Sequence, residues 1–488
     1  MKKLNKVFTS GLSLATVLAL TPSMAFAASA PAGATVGNET NGKYPVTFVY
    51  EDKDEKDATS VTVSGNFQWY SSNDSVVKGF ATTGSTTGAT VYRAEDYTDG
   101  MFNTGYGLNS DSQVYTLTED GTSDVFETTL TVPGNLYYYD YTVTYADGSK
   151  VTMQDPANPS PANVNGHDAG HSIVYVGDKN NTTEGQEYIY ERTDDKKGTY
   201  SYVTYTATDG TTQPLGVYLP YGYDSSKTYP TLYVSHGGGG NEAEWMTIGS
   251  LPNIMDNVMA NGEMTQAVVV TMDNTYFKWN YDTIAKNFQE NIIPYVENHY
   301  SVSKEAKNRA LCGLSMGSMT TSTILQSYTE LFGRYGAFSG ANCQVENPKY
   351  DEMKNVVIYL TAGNVDMAYK ATTDEGDVGI GGPAKTVGLQ KQLDAAGVSY
   401  NADVKNGAHD WGVWRAALTT FAKDYLWEVE TVKNESTVTP PATNSNTKPA
   451  TSVKTGDDTN ILGVSALLAT SLVAMAYVEI TKRKALRK

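Results

Sequence analysis

Two patterns of apolar and polar positions divide the central part of this chain. From about residue 43 to 180, apolar residues alternate with polar ones. Val46, Phe48 and Tyr50 stand among polar neighbours, Val61 and Val63 repeat the pattern, and the run from Tyr137 to Tyr145 alternates again before an Asp147-Gly148 turn. A period of two marks half-buried β-strands, and several of them in this length predict a β-sandwich of immunoglobulin-like size over 43–180. Its middle, about 70 to 120, is rich in Ser, Thr, Gly and Asn and predicts long loops. From about 195 to 430 the pattern changes. Short apolar runs at 231–235, 266–272, 308–314, 334–338 and 356–361 read as buried strands, and helical spacing falls between them. Ile284, Phe288, Ile292 and Val296 recur every fourth residue within a helix expected over 282–300. A second helix is expected from about Pro383 to Ala396, with Gly397 just past its end. This alternation predicts an α/β domain with a parallel sheet covered on both faces.

The ends of the chain carry other signals. Lys2, Lys3 and Lys6 precede a short apolar stretch from Val7 to Leu20, and Ala25-Phe26-Ala27 follows. This is the order of a secretory signal, with cleavage expected after Ala27. Residues 28–42 are small and polar and read as a flexible lead. Residues 431–452 form a polar, Pro-containing linker. Residues 461–478 are almost wholly apolar and just long enough to cross a bilayer. Lys482, Arg483, Lys484, Arg487 and Lys488 follow, which places that tail inside. With Lys454-Thr455-Gly456 just ahead of the span, residues 453–488 resemble the sortase sorting signal of Gram-positive surface proteins. The usual Leu-Pro of that signal is Ser452-Val453 here. The resemblance implies cleavage at Thr455, with sortase and peptidoglycan as partners, and a secreted protein held on the cell wall or outer membrane face. A plain membrane anchor is the alternative.

Composition narrows the partners. The formal net charge is -18, which repels phosphate backbones and argues against a nucleic-acid partner. Neutral polymers stay open. The 35 tyrosines suit antiparallel sheets first and sugar stacking second. The two cysteines, Cys312 and Cys343, are expected as thiols. No histidine or cysteine spacing suits a metal, His167 and His171 sit among glycines as loop residues, and no cofactor is implied.

One motif carries chemistry. Gly313-Leu314-Ser315-Met316-Gly317 falls between a predicted strand and a predicted helix, the setting of a nucleophile elbow. The turn there is too tight for side chains on the flanking positions, and the helix start directs amides at developing negative charge. This makes the second domain an α/β-hydrolase domain, preceded by the β-sandwich. His236-Gly237-Gly238-Gly239-Gly240 closes an earlier strand. Amides of Gly238 and Met316 are the expected oxyanion hole, and His236 itself is expected to be structural. His409 is the only histidine after Ser315 and is the expected general base. Asp366, just past strand 356–361, is the expected acid, with Asp374 and Asp377 as alternatives downstream. Trp245, Trp279 and Trp414, with Tyr276, are candidates to line an aromatic acyl pocket, and each is equally a candidate for the core.

These motifs together, with Asn241, Trp245 and the Asp410-Trp411 and Trp414-Arg415 pairs, resemble carbohydrate esterase family 1 over about 200–428. Ser318 and Ala408 stand where that family often has glycine. Val132-Pro133-Gly134, the tyrosine run and Asp155-Pro156-Ala157-Asn158-Pro159 resemble the family 48 carbohydrate-binding-like domain, which either binds sugar or packs on the catalytic domain. The resemblance implies hydrolysis of ester decorations on plant cell-wall xylan, feruloyl esters first and acetyl esters second. Acyl transfer to an envelope acceptor, or a non-catalytic glycan-binding adhesin, are the other readings.

Overall fold

The alternating segment folds as two antiparallel sheets in a computed structural model that describes residues 31–53, 57–67, 114–119, 124–162, 166, 168, 170–363, 366, 368, 369, 386–407 and 409–429. The first sheet holds β1 (Gly33–Val36), β2 (Lys43–Glu51), β6 (Val125–Pro133) and β5 (Thr118–Glu119), in that order. The second holds β4 (Val114–Thr116), β3 (Ala58–Gly65), β7 (Asn135–Tyr145) and β8 (Lys150–Met153), with β9 (Ser172–Val176) also on β7. Val46, Phe48 and Phe126 from the first meet Val61, Val63, Tyr137, Tyr139 and Tyr141 from the second in one core. Residues 33–36 differ from the expected flexible lead. They pair with Val46–Val49, so the partner's open edge, rather than their own weak hydrophobicity, makes them a strand.

β7 is covered on both faces near its start. Its odd positions enter the sandwich core. Leu136 belongs to a core cluster of the second domain, and Tyr138 packs against that cluster. One strand therefore serves the sandwich interior and the domain boundary, because successive side chains point to opposite faces.

The second domain is an α/β-hydrolase fold. Its eight-stranded sheet runs β10 (Thr199–Thr206), β11 (Thr212–Leu219), β13 (Val268–Met272), β12 (Thr231–Ser235), β14 (Arg309–Leu314), β15 (Arg334–Phe338), β16 (Val357–Gly363) and β17 (Asn401–Lys405). β10 and β11 join antiparallel, and every pairing from β13 to β17 is parallel. The described helices are α1 (Leu251–Ala260), α2 (Tyr281–Asn287), α3 (Ile293–His299), α4 (Met316–Ser327), α5 (Tyr350–Met353), α6 (Thr386–Ala396) and α7 (Trp411–Thr420). α1 and α7 pack on one face of the sheet, and α2, α3 and α6 on the other. β12 shows the division, with Leu232 and Val234 facing one cluster and Tyr233 the other.

The single helix expected over 282–300 is interrupted by a π-turn at Phe288–Ile292. Pro294 opens α3. It has no N–H to donate and its ring crowds the carbonyl four residues back, so the backbone widens ahead of it. Cys312 and Cys343 are buried and neither is in a disulfide. The signal at 1–27, the loops over 70–113, the linker at 431–452, Thr455, the span at 461–478, His167, Asp374 and Asp377 lie outside the described residues. Among the described residues no helix is long and apolar enough to cross a membrane.

Candidate active site

Ser315 stands between β14 and α4 with φ 51° and ψ -115°, a conformation that L-residues adopt only when their surroundings force it. The glycines on either side are the reason the turn closes. A Cβ on Gly313 would lie 2.6 Å from the Gly317 carbonyl, and one on Gly317 would lie 2.5 Å from the His236 carbonyl oxygen. The Ser315 N–H donates to the Phe338 carbonyl at 2.9 Å, which fixes the elbow to the neighbouring strand. Its hydroxyl remains partly exposed above the sheet.

His409 lies between β17 and α7. Its Nε2 is 3.0 Å from Ser315 Oγ and its Nδ1 is 2.9 Å from Asp366 Oδ1. The next residue explains its placement. Asp410 is the N-cap of α7, in extended backbone, and its carboxylate accepts the Val413 N–H at 3.1 Å. The helix is therefore capped one residue after the histidine and begins at Trp411. Asp366 follows β16 and is fully buried, and its Oδ1 also accepts the Ala368 N–H at 2.7 Å. Burial alone pushes the Asp366 carboxyl up. The facing His409, with hydrogen bonds from His409, Ser339 and Ala368, outweighs burial and holds it below its ordinary value.

The glycine loop after β12 crosses above the serine. A Cβ on Gly237 would come 3.3 Å from Ser315 Cβ, and one on Gly238 would come 3.0 Å from Met316 Sδ. Met316 is the first residue of α4, so its N–H has no partner within the helix. Gly237 thus lies against Ser315, and Gly238 against Met316, the residue that follows the serine. His236 is buried below the loop, where Nδ1 donates to the Gly237 carbonyl at 2.6 Å and Nε2 lies 3.1 Å from the Asn274 N–H and 3.3 Å from Asp273. It clamps the loop to the turn after β13.

The tryptophans divide. Trp245 is fully buried, donates to the Ser235 carbonyl at 3.1 Å and packs edge-on against Trp411. It is a strut of the core rather than a pocket wall, because its indole N–H finds a backbone acceptor inside. Trp414 is 7 % exposed, stands edge-on to His409 and donates to the Ser339 hydroxyl at 2.9 Å. It packs against His409 rather than offering its polar edge to a ligand. Trp279 is partly exposed, edge-on to His236, and Tyr276 is exposed nearby. These two remain available to substrate.

Sequence reasoning missed Ser339, Glu244 and the role of Arg415. Ser339 is buried with φ 62° and helps hold the Asp366 carboxyl below its ordinary value. No pattern marks it beyond a Ser-Gly pair ending a strand. His171 pairs with Asp140 at 2.6 Å. Among the described residues no group of His, Cys, Asp and Glu is placed to hold a metal ion.

Residues 206–425 match the family model described as "Putative esterase". That span contains Ser315, Asp366 and His409. It is an esterase domain. A protein of Xylanibacter ruminicola named endo-1,4-beta-xylanase/feruloyl esterase is 29% identical over 256 residues, covering 49% of this chain and 33% of that protein. Endo-1,4-beta-xylanase Y of Acetivibrio thermocellus is 36% identical over 151 residues, covering 28% of this chain and 14% of that one. The chain thus spans a third or less of the length of these relatives. A solved ferulic acid esterase from Anaeromyces mucronatus, in complex with ferulic acid, is 24% identical, with a TM-score of 0.42, covering 49% of this chain and 94% of its own. The esterase domain is that of a carboxylic ester hydrolase.

Proposed function

We propose that this chain is an extracellular serine esterase that removes ester decorations from plant cell-wall polysaccharide, feruloyl esters of arabinoxylan first. The observation that supports it most is the hydrogen-bonded line from Ser315 through His409 to Asp366 beneath a glycine loop. In this reading Ser315 Oγ attacks the ester carbonyl as His409 Nε2 takes its proton. The carbonyl oxygen becomes an oxyanion facing the amides of Gly238 and Met316. The bond to the sugar oxygen breaks, and His409 returns the proton to the leaving alcohol. Water, deprotonated by His409, then cleaves the acyl-serine and frees the acid. Asp366 holds the imidazole in place and stabilises its charged form.

The substrate class draws support from the named activities of the relatives and from Trp279 and Tyr276, which can face a planar ring. The sandwich, carbohydrate-binding-like in sequence, and the signals at 1–27 and 453–488 fit an enzyme held at the surface near a polymer. Cleavage at Thr455 by a sortase would link it to peptidoglycan. Release of ferulate from arabinoxylan by the purified chain, lost in Ser315→Ala, tests this reading. Acetate release with no ferulate release would assign the chain to acetyl xylan esterases. No hydrolysis by either measure would favour a glycan-binding adhesin. A mature protein ending at Thr455 tests the anchor, and an intact tail in the membrane fraction would overturn it.

A further inference from the structure

Arg415 lies on α7, one turn beyond the residues that hold His409, and its side chain is fully buried. Its guanidinium faces away from the catalytic groups, toward the sandwich. Nε donates to Gln186 Oε1 at 2.7 Å, one terminal nitrogen to the Ile248 carbonyl at 2.9 Å, and the other to Asn135 Oδ1 at 2.8 Å and the Leu136 carbonyl at 3.4 Å. Asn135 and Leu136 open β7 of the sandwich. Gln186, in the segment joining the two domains, also donates through Nε2 to the Gly412 carbonyl at 2.8 Å, in the first turn of α7. Gly185 of the same segment is so close that a Cβ there would lie 2.9 Å from that of Ala416.

Every one of these acceptors is neutral. Burying a cation among neutral acceptors is costly, and the cost falls on folding. Burial pushes the guanidinium pKa down only to about 10, so it stays charged at neutral pH. A planar fork with donors on three nitrogens meets four acceptors on three separate segments. What that arrangement supplies is geometry: the start of α7 is tied to the sandwich and to the 185–186 segment, and His409 immediately precedes the cap of that helix, Asp410.

We propose that Arg415 is a positioning residue, through which the β-sandwich sets where the first turn of α7, and so His409, stands. The sandwich is then a working part of the catalytic centre for every ester, small soluble ones included. This rests on the reading of Ser315 and His409 as nucleophile and base.

The test uses the full chain and p-nitrophenyl acetate, a substrate too small to engage a polymer-binding surface. The variants are Arg415→Lys, which keeps the charge and loses the fork, and Asn135→Ala, which leaves Arg415 in place and removes its sandwich side-chain acceptor together with the Asn135 bond to Thr183. Active sites are titrated with a serine-directed phosphonate, so that kcat is expressed per competent Ser315. The expected result is a kcat per titrated site down about tenfold or more, with KM within about twofold, since misplacing a catalytic group by a fraction of an ångström slows chemistry more than binding. A stabilising role alone would lower Tm and the titrated fraction and leave kcat per site unchanged, and that outcome overturns the proposal. If Arg415→Lys does not fold, Asn135→Ala decides on the same criterion. A parent chain whose hydrolysis is absent, or survives Ser315→Ala, would overturn the proposed function and this inference with it. An active parent with unchanged variants overturns this inference alone.

Discussion

The indole N–H of Trp414 ends 2.9 Å from the hydroxyl oxygen of Ser339. That hydroxyl, its acceptor side occupied, is one of the groups that hold the Asp366 carboxyl below its ordinary value. The order therefore runs Trp414, Ser339, Asp366, His409, Ser315, and Asp366 Oδ1 also takes the Ala368 N–H. A hydrogen bond to a charged group contributes about 1.5–3 kcal/mol. Ser339→Gly removes the hydroxyl while accepting the positive φ that alanine would strain. It is expected to lower kcat/KM about tenfold, with KM little changed. Kinetics on methyl ferulate check this, and a full-rate Ser339→Gly enzyme would exclude the hydroxyl from the network.

The two groups on either side of His409 differ in kind. Ser315→Ala removes the nucleophile and is expected to leave only the residual ~10³ over water that binding and the oxyanion site supply. Asp366→Asn keeps the shape and is expected to cost ~10⁴ in kcat by favouring the wrong imidazole tautomer. Stopped assays on the purified variants distinguish these. Should Asp374→Asn or Asp377→Asn prove the damaging change instead, the acid would lie downstream of Asp366.

What the sequence made legible follows from the range of the forces involved. The strand before Ser315 and the helix after it show as local patterns, and the flanking glycines are demanded within five residues. The α/β-hydrolase fold was readable for the same reason, since each strand run carries its own signature. Ser339 was not readable, because its role arises only where the end of β15, the turn after β16 and α7 meet. Arg415 and Asn135 are 280 residues apart, and nothing near either marks the other. Trp245 stood close to a motif and was read with it. Its burial was settled by a carbonyl, Ser235, that only the folded sheet presents to it. β1 was missed because its stability belongs to its partner strand.

Gly317 offers a test of packing rather than chemistry. Its missing Cβ leaves room for the carbonyls of Ser235 and His236, which would otherwise lie 2.6 and 2.5 Å away. Backbone at that distance cannot rotate aside. Gly317→Ala is expected to cost about 1–3 kcal/mol of stability and to shift the glycine loop away from Ser315. Tm and kcat should fall together. A variant with unchanged Tm would mean that the loop gives way freely.

Glu244 gives the esterase domain a pH dependence of its own. Its carboxylate lies against the glycine loop, where a Cβ on Gly240 would stand 2.1 Å from one of its oxygens. Burial raises its pKa, His236 and His171 hold it down, Asp273 raises it further, and it settles at about 7. In the unfolded chain the same group titrates near 4.5. The folded protein therefore binds this proton more tightly, and the group's contribution to stability, present in full below about pH 4.5, is lost as pH rises from about 4.5 to 7. Glu244→Gln should remove that decline. The kinetic consequence has the same origin. Above about pH 7 Glu244 is an anion beside the loop proposed to face the developing oxyanion, and it would oppose that charge. In partly wet surroundings one such charge is worth under about 1 kcal/mol, so Glu244→Gln is expected to raise kcat/KM roughly threefold above about pH 7.5 and to change it little below about pH 6. Rate profiles of both proteins across this range, with Tm at each end, decide the matter. Superimposable profiles would show that the Glu244 charge does not reach the reacting oxygen.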